Sequence, residues 1–159
     1  MKKSFTLIEL LIVIAIIAIL AGIVIIAVNP TRQMGQARNA QRRADILTDI
    51  NAVYQYFLDN GSFPDGITTT FKQIGTGQRN GTPVDCSLEC GDEDATECVD
   101  LTNALVPTYL ASIPYDPCGT GCDSATTGYA IKAITTGGVT RIKIKACRAE
   151  LGQTIEVTR

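Results

Sequence analysis

The hydrophobic residues of this chain are concentrated near its start. From Leu10 to Val28, 19 consecutive residues carry no charge, and nearly all of them are Leu, Ile, Val or Ala. At ~1.5 Å per residue, a helix of this length covers about 28 Å, close to the thickness of the hydrocarbon core of a bilayer. The pattern predicts a membrane-spanning helix.

A second, amphipathic pattern runs from Thr31 to Leu58. Apolar residues recur there at three- and four-residue steps, whereas charged residues such as Arg38 and Arg42 fall largely off the stripe. Pro30 predicts either a bend or the start of a new segment, and Asn60-Gly61 is a typical helix stop. We expect the stripe to pack in the core of a domain; it comprises Ala37, Ala40, Ala44, Leu47, Ile50, Tyr54 and Phe57.

The remainder of the chain predicts turns followed by strands. Residues 61–128 are rich in Gly, Thr and Asp and show little periodicity, apart from a short helical pattern at Leu101–Leu110. Two alternating runs flank Thr136-Gly137-Gly138, which is typical of a β-hairpin. Helices followed by strands indicate an α+β fold with an antiparallel sheet on the second helix. The three predicted strands are Tyr129–Thr135, Val139–Ala146 and Gln153–Thr158.

Composition excludes several classes of function. The 14 basic and 16 acidic residues are scattered, with no basic stripe that would indicate direct binding of nucleic acid. There is no histidine, so Ser-His and Cys-His nucleophile pairs are excluded. Phosphate-binding glycine loops and HExxH motifs are also absent from the sequence. We therefore expect a protein that is not an enzyme.

Six cysteines lie in the second half of the chain. Behind a membrane-targeted N-terminus, an even number of cysteines favours up to three disulfides formed outside the cytoplasm. Six cysteines allow 15 pairings, and the sequence does not select one. A zinc site is the alternative, because two pairs have C-x3-C spacing. The cysteines are Cys86, Cys90, Cys98, Cys118, Cys122 and Cys147.

The N-terminus favours an anchor over a cleaved secretory signal. The apolar run is too long for such a signal, and no Ala-x-Ala-like site ends it. Lys2 and Lys3 orient the domain outward by the positive-inside rule. Glu9 does not suit a passive anchor, because an acid within an apolar segment is costly unless it is paired or interfacial. A cut between Ser4 and Phe5 would create an amine able to pair with Glu9 of the same or a neighbouring subunit.

The segment MKKS-FTLIELLIVIAIIAILA resembles the class III leader and N-terminal helix of type IV pilins and type II secretion pseudopilins. The resemblance implies that a prepilin peptidase cuts between Ser4 and Phe5 and methylates the new N-terminus, and that Glu9 is the assembly glutamate. Ser4 stands where the family usually has Gly. The implied division is a leader (1–4), a transmembrane and assembly helix (5–29), an amphipathic helix (30–60), a Cys-rich irregular region (61–128) and an antiparallel sheet (129–159).

The C-terminal part is similar to the major pseudopilin of type II secretion. The similarity lies in Asp59-Asn60-Gly61-Ser62-Phe63-Pro64 and in Ile113-Pro114-Tyr115-Asp116-Pro117-Cys118-Gly119, where Cys118 stands in place of the family's Trp. The resemblance implies calcium binding in a C-terminal loop. Acidic residues between Cys90 and Cys98 could supply part of a site, but they also fit a solvated loop. The calcium ligands we predict are Asp92, Asp94, Asp116 and Asp123.

These observations predict a structural subunit, a pilin or pseudopilin, with no cofactor other than calcium. The implied partners are further copies of the chain, other pilins, the prepilin peptidase and an inner-membrane assembly platform. The implied location is the inner membrane for the precursor, and then a cell-surface or periplasmic filament. The alternative is a permanently anchored, Cys-rich module that binds a metal or another ligand outside the cytoplasm.

Overall fold

Two consecutive helices form the N-terminal part of the computed structural model, which describes residues 5–91 and 93–159. Helix α1 spans Leu7–Val28 and helix α2 spans Pro30–Asn60. Asn29 between them is left-handed (φ 42°), and its side chain accepts a hydrogen bond from the Arg32 amide. Pro30 needs no amide partner in the first turn. A second, separately capped helix therefore starts at Pro30.

Helix α2 buries a different face from the predicted stripe in its first half. The small residues Ala37, Ala40 and Ala44 are exposed, and Leu47 is 45% exposed, so the prediction is wrong there. Alanine buries little apolar area, and the orientation of the helix is set instead by polar side chains with partners in the domain. The buried residues are Gly35, Asn39, Arg42, Ile46, Asp49, Ile50, Ala52 and Val53.

A five-stranded sheet covers α2. Its strand order is β4-β1-β5-β6-β7, with β1 and β4 parallel and the other pairs antiparallel. A separate two-stranded ribbon is formed by β2 and β3. The sheet is therefore mixed rather than purely antiparallel. The strands are β1 Lys72–Ile74, β2 Gln78–Arg79, β3 Thr82–Pro83, β4 Cys98–Val99, β5 Tyr129–Thr136, β6 Val139–Ala146 and β7 Ile155–Thr158.

The C-terminal hairpin has the predicted position. Strands β5 and β6 pair from Thr136↔Val139 at the tip, where Gly137 and Gly138 both have positive φ (60° and 79°). Two positive φ angles are required by the tight hairpin turn whose twist matches that of the strands. Strand β7 begins at Ile155, two residues later than the predicted third strand.

The region 61–128 is less irregular than the sequence predicts. It contributes β1 and β4 to the sheet, the β2–β3 ribbon and a short helix, α3, over Thr102–Leu105. Strands of two or three residues are too short to show an alternating pattern.

One hydrophobic core joins α2 to the sheet and α3. The α2 residues Ile46, Ile50 and Val53 pack in it with aliphatic and aromatic residues of the strands. The predicted α+β layout is confirmed. The fully buried residues on the sheet include Ile74, Tyr129, Ile131, Ile142 and Ile144.

Candidate functional site

The N-terminus of α1 is closed by a capping box between Thr6 and Glu9. The Thr6 backbone amide and hydroxyl both donate to Glu9 Oε2 at 2.8 Å, and the Glu9 amide donates to Thr6 Oγ1 at 3.3 Å. A capping box satisfies backbone donors that the first turn leaves without helical partners. Glu9 therefore has a local structural role that the sequence analysis missed, although the T-x-x-E spacing is the signal for it.

The apolar side chains of α1 do not pack into the domain. Every residue from Phe5 to Ile25 is exposed, and Phe5 is 82% exposed. By length and composition, Leu7–Ile25 is able to cross a membrane. An apolar surface of this size requires lipid or other apolar helices around it.

Comparison with known proteins assigns a motif to this helix. Residues 1–25 match the family model of the prokaryotic N-terminal methylation motif. Neither a curated protein nor a solved structure matches the chain. The match supports the prepilin-like interpretation and is consistent with a membrane-anchored precursor; it indicates a structural protein rather than an enzyme.

The methylation motif covers the start of the chain only. Ser4, the residue before the predicted cut, lies outside the described residues, whereas Phe5 and Glu9 lie within them. The similarity of the C-terminal part to the major pseudopilin stays a prediction.

A buried ion pair connects α2 to the loop that follows α3. The Arg42 guanidinium is 2% exposed and donates to both carboxylate oxygens of Asp116, from Nε at 2.7 Å and from Nη2 at 2.8 Å. Asp116 is equally buried. Hydrogen bonds to the carboxylate are the main cause that raises the pKa of Arg42. The pair fixes the loop against the helix over a sequence separation of 74 residues.

The same arginine extends this contact to the turn before β7. Arg42 Nη1 donates to Asn39 Oδ1 at 2.9 Å and to Glu150 Oε1 at 3.0 Å. Arg38 forms two further bonds of 2.6 Å to the Glu150 carboxylate. Arg38, and after it Arg42, lower the pKa of Glu150 to about 2. In the sequence pattern these arginines fall off the packing stripe, so the pattern gives no sign of the network.

A second buried acid, Asp49, lies about two turns after Arg42 on α2. Asp49 is 2% exposed, and within the described part of the chain neither of its carboxylate oxygens has a hydrogen-bond partner. Burial, and secondarily the neighbouring Asp45, raise the pKa of Asp49 well above its usual value. Asp45 itself accepts a 2.6 Å hydrogen bond from the Tyr129 hydroxyl. Burial at this position therefore favours the protonated acid over the carboxylate.

All six cysteines are paired in three disulfides. The pairs are Cys86–Cys98, Cys90–Cys147 and Cys118–Cys122, with Cα–Cα distances of 5.2, 4.5 and 6.0 Å. The prediction of disulfides is confirmed. Of the two C-x3-C pairs, Cys118 and Cys122 are bonded to each other, whereas Cys86 and Cys90 are each bonded to a cysteine elsewhere in the chain.

The predicted calcium ligands have contacts of their own. Asp94 Oδ1 accepts from the Cys90 amide at 2.7 Å, Asp123 Oδ2 accepts from Arg79 at 2.7 Å, and Asp116 is bound to Arg42. Asp92 lies outside the described residues. Calcium binding stays a prediction.

Three side chains of types that bind metal ions lie close together in the part of the chain that the structure describes. A carboxylate oxygen of Asp116 and the sulfur atoms of Cys118 and Cys122 lie within 4.8 Å of one another. In the structure those two sulfurs form a disulfide rather than thiolates. All three are candidate site residues in the sequence, but the sequence does not indicate that they lie together.

Proposed function

We propose that this chain is a pilin or pseudopilin, a structural subunit of a type IV pilus or a type II secretion pseudopilus. The prepilin peptidase cuts it before Phe5, and the mature subunits assemble into a helical filament through α1. The precursor is held in the inner membrane with its domain outside the cytoplasm. Its partners are further copies of itself, other pilins, the peptidase and an inner-membrane assembly platform.

The observation that carries the proposal is the fully exposed apolar helix with the methylation motif and one carboxylate at its head. In the precursor, lipid surrounds α1. In a filament, the α1 helices of other subunits provide an equally apolar environment, so extraction from the membrane does not expose these side chains to water. The disulfide-bonded domain then forms the outer surface of the filament.

Mass spectrometry of the mature chain tests the processing step. We expect a chain that begins at a methylated Phe5. A mature chain that still begins at Met1 would contradict the proposal. Recovery of the chain in the membrane fraction, but never in sheared filaments, would favour the permanently anchored ligand-binding module instead.

Two substitutions at Glu9 separate capping from assembly. Glu9→Gln keeps the hydrogen bonds of the capping box, because Gln also serves at this position, but removes the charge that would pair with the Phe5 amine. Glu9→Ala removes the charge and also the hydrogen bonds made by the Glu9 side chain. We expect both variants to reach the membrane and both to lose at least about 10-fold in sheared filament yield, since 1.4 kcal/mol already corresponds to a tenfold change.

Antibody detection of the chain in membrane and filament fractions measures both effects. Glu89→Gln, an exposed substitution in the domain, is the matched control and should assemble normally. If Glu9→Gln assembles as well as the unaltered chain while Glu9→Ala does not, Glu9 acts only as a helix cap and the proposed charge pairing is wrong.

A further inference from the structure

The Cys118–Cys122 disulfide differs from the other two in how little chain it encloses. Its cysteines are 4 positions apart, against 12 and 57 for the other pairs. Within its loop, Gly119 and Gly121 have positive φ angles of 84° and 86°, and a Cβ added at either would meet nothing within 4 Å. The loop therefore faces open space on its outer side.

One sulfur of this disulfide belongs to a residue on the wall of a cavity. Cys118 lines a cavity of about 470 Å³, together with Pro117, Gly119 and the arginines around Glu150. Cys118 and Cys122 are both half-buried, as are Cys86, Cys98 and Cys147, whereas Cys90 is only 3% exposed. A thiol therefore has room to approach Cys118.

The other sulfur has a cation beside it. Arg148 Nη1 donates to Cys122 Sγ over 3.1 Å. Because a disulfide sulfur carries no hydrogen, Cys122 Sγ can only accept this bond, which places a positive charge beside it. A neighbouring arginine stabilises the negative charge that develops on the departing sulfur when the disulfide is broken.

The nearby carboxylate does not cancel this effect. Asp116 lies close to both sulfurs, but both of its oxygens are bonded to the Arg42 guanidinium. The Arg42–Asp116 pair therefore has no net charge. Asp123, the residue after Cys122, is likewise paired, with Arg79. Arg148 is therefore the cation whose hydrogen bond goes to the disulfide itself.

We propose that Cys118–Cys122 is a site of thiol–disulfide exchange that accepts electrons from a dithiol. A thiolate of the dithiol attacks Cys118 Sγ, forming a mixed disulfide, and the Cys118–Cys122 bond breaks with its electron pair on Cys122 Sγ beside Arg148. The second thiol of the dithiol then attacks the mixed disulfide and releases Cys118. The dithiol leaves as a cyclic disulfide, and its two protons balance the two new thiols of the protein.

Reduction at this site leaves the fold intact. Cys86–Cys98 and Cys90–Cys147 remain closed, and the Arg42–Asp116 pair still holds the loop to α2. The exchange therefore changes the chemistry of one exposed loop and not the architecture of the domain. This property separates the site from the two disulfides that join distant segments.

The full chain in detergent, treated with dithiothreitol, tests the order of reduction. Samples are quenched with acid at intervals, alkylated and analysed by mass spectrometry. We expect Cys118 and Cys122 to be alkylated first. With excess glutathione in place of the dithiol, the adduct should form on Cys118 and the free thiol should be that of Cys122.

Variants at Arg148 test the role of the cation. Arg148→Gln should slow reduction of this disulfide roughly 3- to 10-fold, because the charge that develops on Cys122 Sγ then lacks its neighbouring cation. Arg148→Lys should retain most of the rate, and Arg141→Gln, at an exposed site on β6, should not change it. Circular dichroism of each variant checks that the domain is folded.

Three results would each overturn the proposal. The first is reduction of Cys86–Cys98 or Cys90–Cys147 before Cys118–Cys122. The second is a glutathione adduct on Cys122 with Cys118 free. The third is an Arg148→Gln chain that is folded and is reduced as fast as the unaltered chain.

Discussion

At the residue scale, Asp49 makes the stability of the domain depend on pH. Its pKa is raised in the folded chain, because burial disfavours the charged form. Above the ordinary pKa of an aspartate, the folded chain therefore binds more protons than the unfolded chain. The free energy of unfolding falls as pH rises from that value through the folded pKa of Asp49.

Substitution of Asp49 removes this penalty. We expect Asp49→Leu to raise the free energy of unfolding at pH 7 by about 1–3 kcal/mol, the usual cost of a buried polar group without a partner. It should also reduce the loss of stability that sets in as pH rises above the ordinary pKa of an aspartate. Urea unfolding followed by near-UV circular dichroism of the tyrosines measures both. Asp65→Asn, at an exposed acid, is the control and should leave the pH dependence unchanged.

Arg42 and Asp116 are buried charges that are paired with each other, in contrast to Asp49. We expect Arg42→Met alone to lower the free energy of unfolding by about 3–5 kcal/mol, because it leaves the Asp116 carboxylate buried without its cation. The double variant Arg42→Met, Asp116→Leu should lose less than the single variant. The same unfolding measurement checks this, and equal losses in the two variants would mean that the unpaired Asp116 carboxylate is not the source of the loss.

At the element scale, the face that α2 buries is determined by the contacts of its side chains with the domain and not by the positions of its alanines. The sequence stripe and the buried face share Ile50 but diverge before it. Neighbouring residues therefore have opposite environments: Ile46 is 2% exposed, whereas Leu47 is 45% exposed. The exposed Ala37, Ala40 and Ala44 surface remains free in the monomer for contact with another chain.

The pair Ile46 and Leu47 provides a direct test of the face that α2 buries. We expect Ile46→Ala to lower the free energy of unfolding by about 2–5 kcal/mol, because it leaves a cavity in the core. Leu47→Ala, an equal deletion at an exposed site, should change it by less than about 1 kcal/mol. If urea unfolding showed a larger loss for Leu47→Ala than for Ile46→Ala, α2 would bury the face predicted from the sequence.

At the scale of the whole molecule, the sequence predicts elements better than it predicts their contacts. The N-terminal helix and the β5–β6 hairpin were predictable because each rests on a long local pattern or a defined turn. Strands β1 and β4 were not, since each is only two or three residues long. The Arg42 network was not predictable because its partners lie 74 and 108 positions away. The Glu9 cap could have been found from the T-x-x-E spacing alone.

The Cys90–Cys147 bond also has a consequence for a subunit under tension. If a filament is pulled through α1 and the domain begins to unfold, the bond lets force pass from Cys90 to Cys147 without extending the chain between them. The 57 residue steps that it bypasses correspond to roughly 190 Å of extended chain at ~3.4 Å per step.

Single-molecule stretching between the N-terminal helix and Arg159 should show this difference. We expect the unfolded length per subunit to increase by roughly 140 Å in a Cys90→Ser, Cys147→Ser variant, because the Cys86–Cys98 and Cys118–Cys122 bonds still shorten the path. A Cys118→Ser, Cys122→Ser variant should show no increase, because its bond lies inside the loop that Cys90–Cys147 closes. The longest covalent loop thus acts as a limit on extension, which keeps most of the domain close to the filament even when its packing fails.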